Sequence, residues 1–160
     1  MLVVDANVVV EVTLERFGVM ALDALCDEQL VAPWLLWSEV PAALSAMVFR
    51  AEISCELGES ALKRLETIRV EPLHPDGLVT EAWRIAKERG WAKTYDAEYL
   101  ALARLLGCRL TTLDGPLWRA TLFCSIGDSV QNQYLHTFIK VRRIVPFFEQ
   151  QHPRTHETAG

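Results

Sequence analysis

The chain has no glycine-rich turn after its first apolar run, no CxxC pair, no excess of basic residues and no uncharged apolar stretch near the length of a membrane span. Each absence removes a class. Without glycines between Val4 and Asn7, backbone cannot approach a pyrophosphate closely, which argues against a dinucleotide or flavin binder. Cys26, Cys55, Cys108 and Cys124 lack paired spacing and sit among apolar neighbours, so they read as reduced, buried thiols in a cytoplasmic protein. His74, His136, His152 and His156 are scattered and build no zinc pattern with them. No segment approaches the roughly 18 apolar residues of a transmembrane helix, and the opening Leu2-Val3-Val4 runs into Asp5 without an export-signal pattern. With 16 basic against 21 acidic residues the formal charge is −5, so phosphate binding is not announced by bulk charge. It is not forbidden either, because a cluster of acids that loads divalent cations inverts its own sign.

What is present is an ordinary globular composition, 51% hydrophobic and 23% charged over 160 residues, enough for one domain with its own core. Residues 2–4 form a wholly apolar strand suited to the middle of a parallel sheet. A helix follows Asn7, and residues 17–26 read as another. Residues 29–33 read as a strand closed by Pro33. Ser38 is expected to cap a helix whose first turn holds Pro41, and whose apolar positions up to Phe49 read as core. Ser54 caps the next, with Leu57, Ala61, Leu62 and Leu65 buried and Gly58 weakening it. Residues 68–73 give a third strand, and Asp76 is expected to cap a helix closed by Gly90. Asp96 opens a strongly apolar helix ended by Gly107, and residues 108–113 lead as a fourth strand to Asp114. Strands alternating with helices predict an α/β domain around a parallel sheet. After residue 123 the pattern changes: 124–130 is polar, 131–141 helix-like, 142–148 strand-like around Pro146, and 151–160 reads as disordered.

Four acids stand out by position. Asp5 ends the first strand and Asp114 the fourth, while Glu39 and Asp96 fall in first turns of helices, where the macrodipole favours a carboxylate. Ligands of open parallel sheets bind beyond the carboxyl ends of the strands. A helix of about eleven residues carries the chain roughly 16 Å away from Asp96. A six-residue strand brings it back roughly 20 Å, so Asp114 is expected beside Asp96. Converging carboxylates repel unless divalent metal joins them, and Mg2+ or Mn2+ suits an all-oxygen set. Each acid also has a plain reading as a cap, a first-turn residue or a turn former. Arg89, Lys93 and Arg119 are candidates for contact with phosphate, against the alternative of solvated surface charge. Trp34, Trp37, Trp83, Trp91 and Trp118 read as packing residues rather than stacking platforms.

The segments Val3-Val4-Asp5-Ala6-Asn7, Ser38-Glu39-Val40, Tyr95-Asp96-Ala97-Glu98-Tyr99-Leu100-Ala101-Leu102-Ala103 and Leu110-Thr111-Thr112-Leu113-Asp114 together resemble a PIN domain, most closely the VapC-type toxin ribonucleases. The resemblance covers residues 1 to about 122, and the stretch around Asp96 is its most specific part. It implies a PIN-like three-layer α/β/α sandwich over residues 1–123, followed by an atypical closing element at 124–150 and the tail at 151–160. It implies Asp5, Glu39, Asp96 and Asp114 as ligands of Mg2+ or Mn2+, with Asn7 and Thr112 supporting them. It further implies hydrolysis of RNA by a metal-activated water, a cognate antitoxin and a homodimer. The chain departs from the family pattern at Pro41 and in its late apolar strand. Two other readings stand beside this one. A PIN-like fold could serve RNA or protein binding without catalysis. A haloacid-dehalogenase-like phosphatase also places an aspartate after the first strand, but wants a second acid where Asn7 stands.

Overall fold

The computed structural model describes residues 1–16, 25, 28–115 and 117. Expectations for residues 17–24, 26–27 and 118–160, including Arg119 and both C-terminal segments, lie outside the described residues.

The elements run β1 (Leu2–Val4), α1 (Ala6–Thr13), β2 (Leu30–Pro33), α2 (Leu36–Phe49), α3 (Cys55–Leu65), β3 (Val70–Leu73), α4 (Leu78–Arg89), α5 (Tyr95–Leu106) and β4 (Arg109–Thr111). The four strands form one parallel sheet in the order β3-β2-β1-β4. Registers pair Val3 with Val31 and Leu110, and Pro33 with Leu73. β1 can be wholly apolar because it has a strand on each side and helices on both faces, and all three of its residues are buried. Pro72 lies in β3, the outermost strand on that side among the described residues, where its missing N–H costs no ladder bond.

Right-handed crossovers decide the layers. The chain steps from β1 to β2 to β3 in one direction, with α1, α2 and α3 packed on one another. It then returns past β1 to β4 through α4 and α5, which pair with each other, and α5 lies on β1, β2 and β4. The three-layer α/β/α sandwich expected from the sequence is what results. Because the strand order reverses at β1, the connections diverge there and leave a crevice above its carboxyl end.

Several local expectations are corrected. Ser38 caps nothing: α2 starts at Leu36, two residues earlier, on a turn in which the Trp37 N–H bonds to the Trp34 carbonyl. Pro41 is consequently the sixth helical residue rather than a first-turn one, and it deprives the Trp37 carbonyl of its usual donor. Asp76 does not cap α4 either; Gly77, at φ 83°, turns the chain into that helix. Leu62 is exposed, since the face of α3 turned inward carries Gly58, Ala61 and Leu65. Ser54 does cap α3, its hydroxyl accepting from the Leu57 N–H at 3.2 Å. Gly58 is a close-approach residue, because a Cβ there would stand 2.8 Å from Val48 Cγ2 on α2. Cys55 is exposed and Cys108 half-buried, both as free thiols, so burial of the cysteines fails for Cys55. Among the tryptophans, Trp34 is 65% and Trp83 68% exposed, and Phe49 at the end of α2 is 91% exposed, against the packing roles expected for them. Among the described residues no helix is long and apolar enough to cross a membrane.

Candidate active site

Asp5 leaves β1 directly into the crevice. It occupies the N-cap position of α1, where its carbonyl accepts from the Val8 and Val9 N–H groups, but its side chain makes no capping bond. The carboxylate is only 5% exposed. Its hydrogen-bond partner comes from the neighbouring strand end: Thr112 Oγ1 donates to Asp5 Oδ2 at 2.6 Å. The Asp5 N–H donates to the Thr111 carbonyl at 3.1 Å, which carries the β1–β4 ladder one step further and sets the two loops side by side.

Thr112 is a junction. Besides donating to Asp5, its hydroxyl oxygen accepts from Asn7 Nδ2 at 3.2 Å and from the Asp114 N–H at 2.9 Å. Asn7 in turn accepts the Leu113 N–H on Oδ1 at 3.0 Å. The amide of Asn7 therefore grips the segment between β4 and Asp114 from both of its ends. Asp114 Oδ1 accepts from the Leu117 N–H at 2.7 Å, so this acid does satisfy a backbone donor three residues on, as its turn reading predicts.

Glu39 comes from the first turn of α2 and is half-buried. Tyr99 Oη donates to its Oε2 at 2.7 Å from α5, across the top of the sheet. Asp96 stands in the first turn of α5, behind Thr94, which has no capping side chain.

The charges of these acids reach one another. Burial, as the main cause, raises the Asp5 carboxyl from 3.8 to about 6 against the Thr112 hydrogen bond, and the charges of Glu39 and Asp96 add to it. Glu39 is raised by burial, and by Asp96 and Glu98. Asp96 is raised by burial and by Asp114, with Lys93 opposing. Asp96 and Asp114, expected as neighbours, lie within electrostatic reach of each other. All four acids belong to one electrostatic group, although among the described residues no three His, Cys, Asp or Glu side chains stand close enough to enclose an ion. Asp5, Glu39 and Asp114 are each held by a hydrogen bond, of 2.6, 2.7 and 2.7 Å respectively, and Asp96 is exposed.

Two members were not singled out from the sequence. Glu98 lies two residues past Asp96, half-buried, raised by its burial with His74 opposing, and it bears on Glu39. Tyr99 is fully buried with its hydroxyl on Glu39. A tyrosine three residues beyond Asp96, on the same helical face and amid alanines and leucines, is the signal that would have found it. Of the basic candidates, Lys93 is near enough to act on Asp96, and Arg89 is the last residue of α4.

A parallel α/β domain with its buried acid at the strand-order reversal, and further acids ringed about it, has the form of a hydrolytic or ion-binding centre. The chain belongs to the PIN domain family, whose model matches residues 2–120. It is similar to the VapC ribonuclease Mb0985 of Mycobacterium bovis and to Ribonuclease VapC9 of Mycobacterium tuberculosis. Each is 32% identical over 114 residues, covering 71% of this chain and 86% of the relative.

Proposed function

We propose that the chain is a divalent-metal-dependent endoribonuclease, the toxin of a toxin–antitoxin pair, with Asp5, Glu39, Asp96 and Asp114 as its site acids. The observation that carries this reading is the buried Asp5 carboxylate, raised to about 6 and coupled to Glu39 and Asp96 at the carboxyl end of the central strand. Such a site costs the fold stability, and a structural carboxylate would not be placed against two others. Kinship with proteins named ribonucleases supports RNA as the substrate.

The donor chemistry of the four acids fits Mg2+ or Mn2+, because their oxygens are hard and the group is anionic. A bound ion of this kind supplies Lewis acidity that brings a water toward hydroxide at neutral pH and offsets charge on the phosphate. The protein's part is positional. Thr112 and Tyr99 each engage one carboxylate oxygen, on Asp5 and Glu39, and so orient those groups toward the ion they would hold. Asn7 fixes the loop that delivers Asp114. Lys93, exposed beside Asp96, draws the RNA backbone toward an otherwise repulsive crevice. A cognate antitoxin and a second copy of the chain are the partners this reading carries, in the cytoplasm; exposed Trp83 and Phe49 offer apolar surface of the kind partners cover.

The test is cleavage of a mixed RNA pool by the full chain in Mn2+, with and without EDTA, beside Asp96→Asn. Chelation should abolish cutting, and the variant should lose at least about a hundredfold in rate, given that such electrostatic groups contribute several kcal/mol each. Cleavage indifferent to both would reject the mechanism. Absence of any cleavage, together with tight capture of RNA, would favour the non-catalytic binding module.

A further inference from the structure

Among the described residues, Tyr99 is the one fully buried side chain of its size whose polar tip reaches the acid group. Its ring lies inside the helical layer of α5, at 0% exposure, while its oxygen reaches Glu39 of α2 in the opposite layer. The charges of Glu39 and Asp5 both bear on that hydroxyl. The hydroxyl thus donates to Glu39 within electrostatic reach of Asp5. A buried hydroxyl without partners would cost roughly 1–3 kcal/mol, and an apolar ring would fill the same space without that liability. Packing alone therefore does not account for a tyrosine.

The symmetry with the other strand end is informative. Asp5 has one oxygen held by the Thr112 hydroxyl, and Asp114 has one held by the Leu117 N–H. Glu39, on a longer and more flexible side chain, has one oxygen held by Tyr99. Each of these bonds restrains the rotamer of the acid it holds.

Resting on the site reading given above, we propose that Tyr99 is a positioning residue: its hydroxyl locks Glu39 in the rotamer that presents one oxygen to a divalent cation shared with Asp5. The bond does this across the two helical layers, so it also sets the spacing of α2 and α5 above the sheet. Tyr99 touches no reacting atom and acts only through Glu39.

The experiment measures Mn2+ affinity of the full-length chain by electron paramagnetic resonance or calorimetry for wild type, Tyr99→Phe, Glu39→Gln and the double variant. Tyr99→Phe keeps the ring and should leave the metal-free melting temperature within a few degrees. It should weaken Mn2+ binding by about 10–100-fold, the usual effect of removing an outer hydrogen bond from a metal ligand. In the Glu39→Gln background the same change should cost less than about threefold, because the group it orients is no longer a ligand. Equal Mn2+ affinity in wild type and Tyr99→Phe would overturn the proposal, as would a full, additive loss in the Glu39→Gln background. Failure of the wild-type chain itself to bind Mn2+ would overturn the site reading, and this role for Tyr99 with it, and is distinguishable from both.

Discussion

Replacing Asp5 by asparagine should make the metal-free protein more stable at neutral pH while destroying its activity. In the fold, burial moves the carboxyl of Asp5 from 3.8 to about 6. Taking the ordinary value for the unfolded chain, the gap spans about two pH units, and at about 1.36 kcal/mol each it is worth ~3 kcal/mol. The sign follows from proton binding. Between the two values the folded state holds the proton and the unfolded state does not, so stability falls as pH rises through that window. Below about 3.8 the contribution is fully present; above about 6 it is gone, and the fold carries a desolvated anion. Glu39, Asp96 and Glu98 are raised and act in the same direction, while Glu28, Glu52, Glu56 and Glu81 are lowered and oppose them. The whole curve is therefore composite, and only the difference between variant and wild type isolates Asp5. Asparagine keeps an oxygen for the Thr112 hydroxyl and carries no charge near Glu39 and Asp96. Thermal unfolding in EDTA should place Asp5→Asn above wild type by up to about 6–12 °C at pH 7.5, at roughly 2–4 °C per kcal/mol for a chain of this size. The margin should shrink to little at pH 4. A variant no more stable than wild type at pH 7.5, or a margin flat from pH 4.5 to 7.5, would refute the claim that Asp5 is an electrostatic burden on the fold.

Thr112→Val should lower stability by about 1–3 kcal/mol in chemical denaturation, because it strands Asp5 Oδ2, Asn7 Nδ2 and the Asp114 N–H together. Cleavage should fall about 10–100-fold, and Thr112→Ser should recover most of it, since the hydroxyl rather than the methyl does the work. Gly58→Ala should cost about 1–3 kcal/mol by driving a methyl into Val48 across the α2–α3 contact, with Val48→Ala in the same chain restoring most of the loss in melting temperature.

The strands at 2–4 and 30–33 were legible because buried parallel strands are written as short apolar runs, whereas Arg109-Leu110-Thr111 is not such a run and was legible from the helix and Gly107 before it. Their ends came out shorter than the apolar runs suggest. Residues 68–69, 108 and 112–113 read as strand but have no ladder position, since pairing and not hydrophobicity ends a strand. Glycine closures were legible at Gly90 and Gly107, where a positive φ selects the residue. Helix starts were less so. Ser38 and Asp76 have the chemistry of caps, but α2 has already begun from a turn at Trp34, and the turn from Pro75 into α4 puts Gly77 rather than Asp76 at the N-cap. Propensity ranks candidates for a cap; the preceding turn chooses among them. Surface exposure was the least legible, because Trp34, Phe49 and Trp83 are as apolar as any core residue and only the packing tells them apart.

The acids were found by position rather than by type, and that explains why Tyr99 and Glu98 escaped. Asp5 and Asp114 mark strand ends, and strand order alone brings such ends to one edge. Glu39 and Asp96 mark helix starts at the same edge. Tyr99 is one turn inside its helix, where the one-dimensional pattern assigns it to the core, and it is indeed in the core. What the pattern does not carry is that its para position extends beyond the apolar layer, far enough to meet a carboxylate from the other side of the sheet. A side chain that is core by its ring and site by its hydroxyl has two addresses, and hydrophobic periodicity reports only the first. The sequence feature that distinguishes the two is choice among isosteres: tyrosine where phenylalanine would pack as well implies a partner for the oxygen, and in this fold the partner is Glu39.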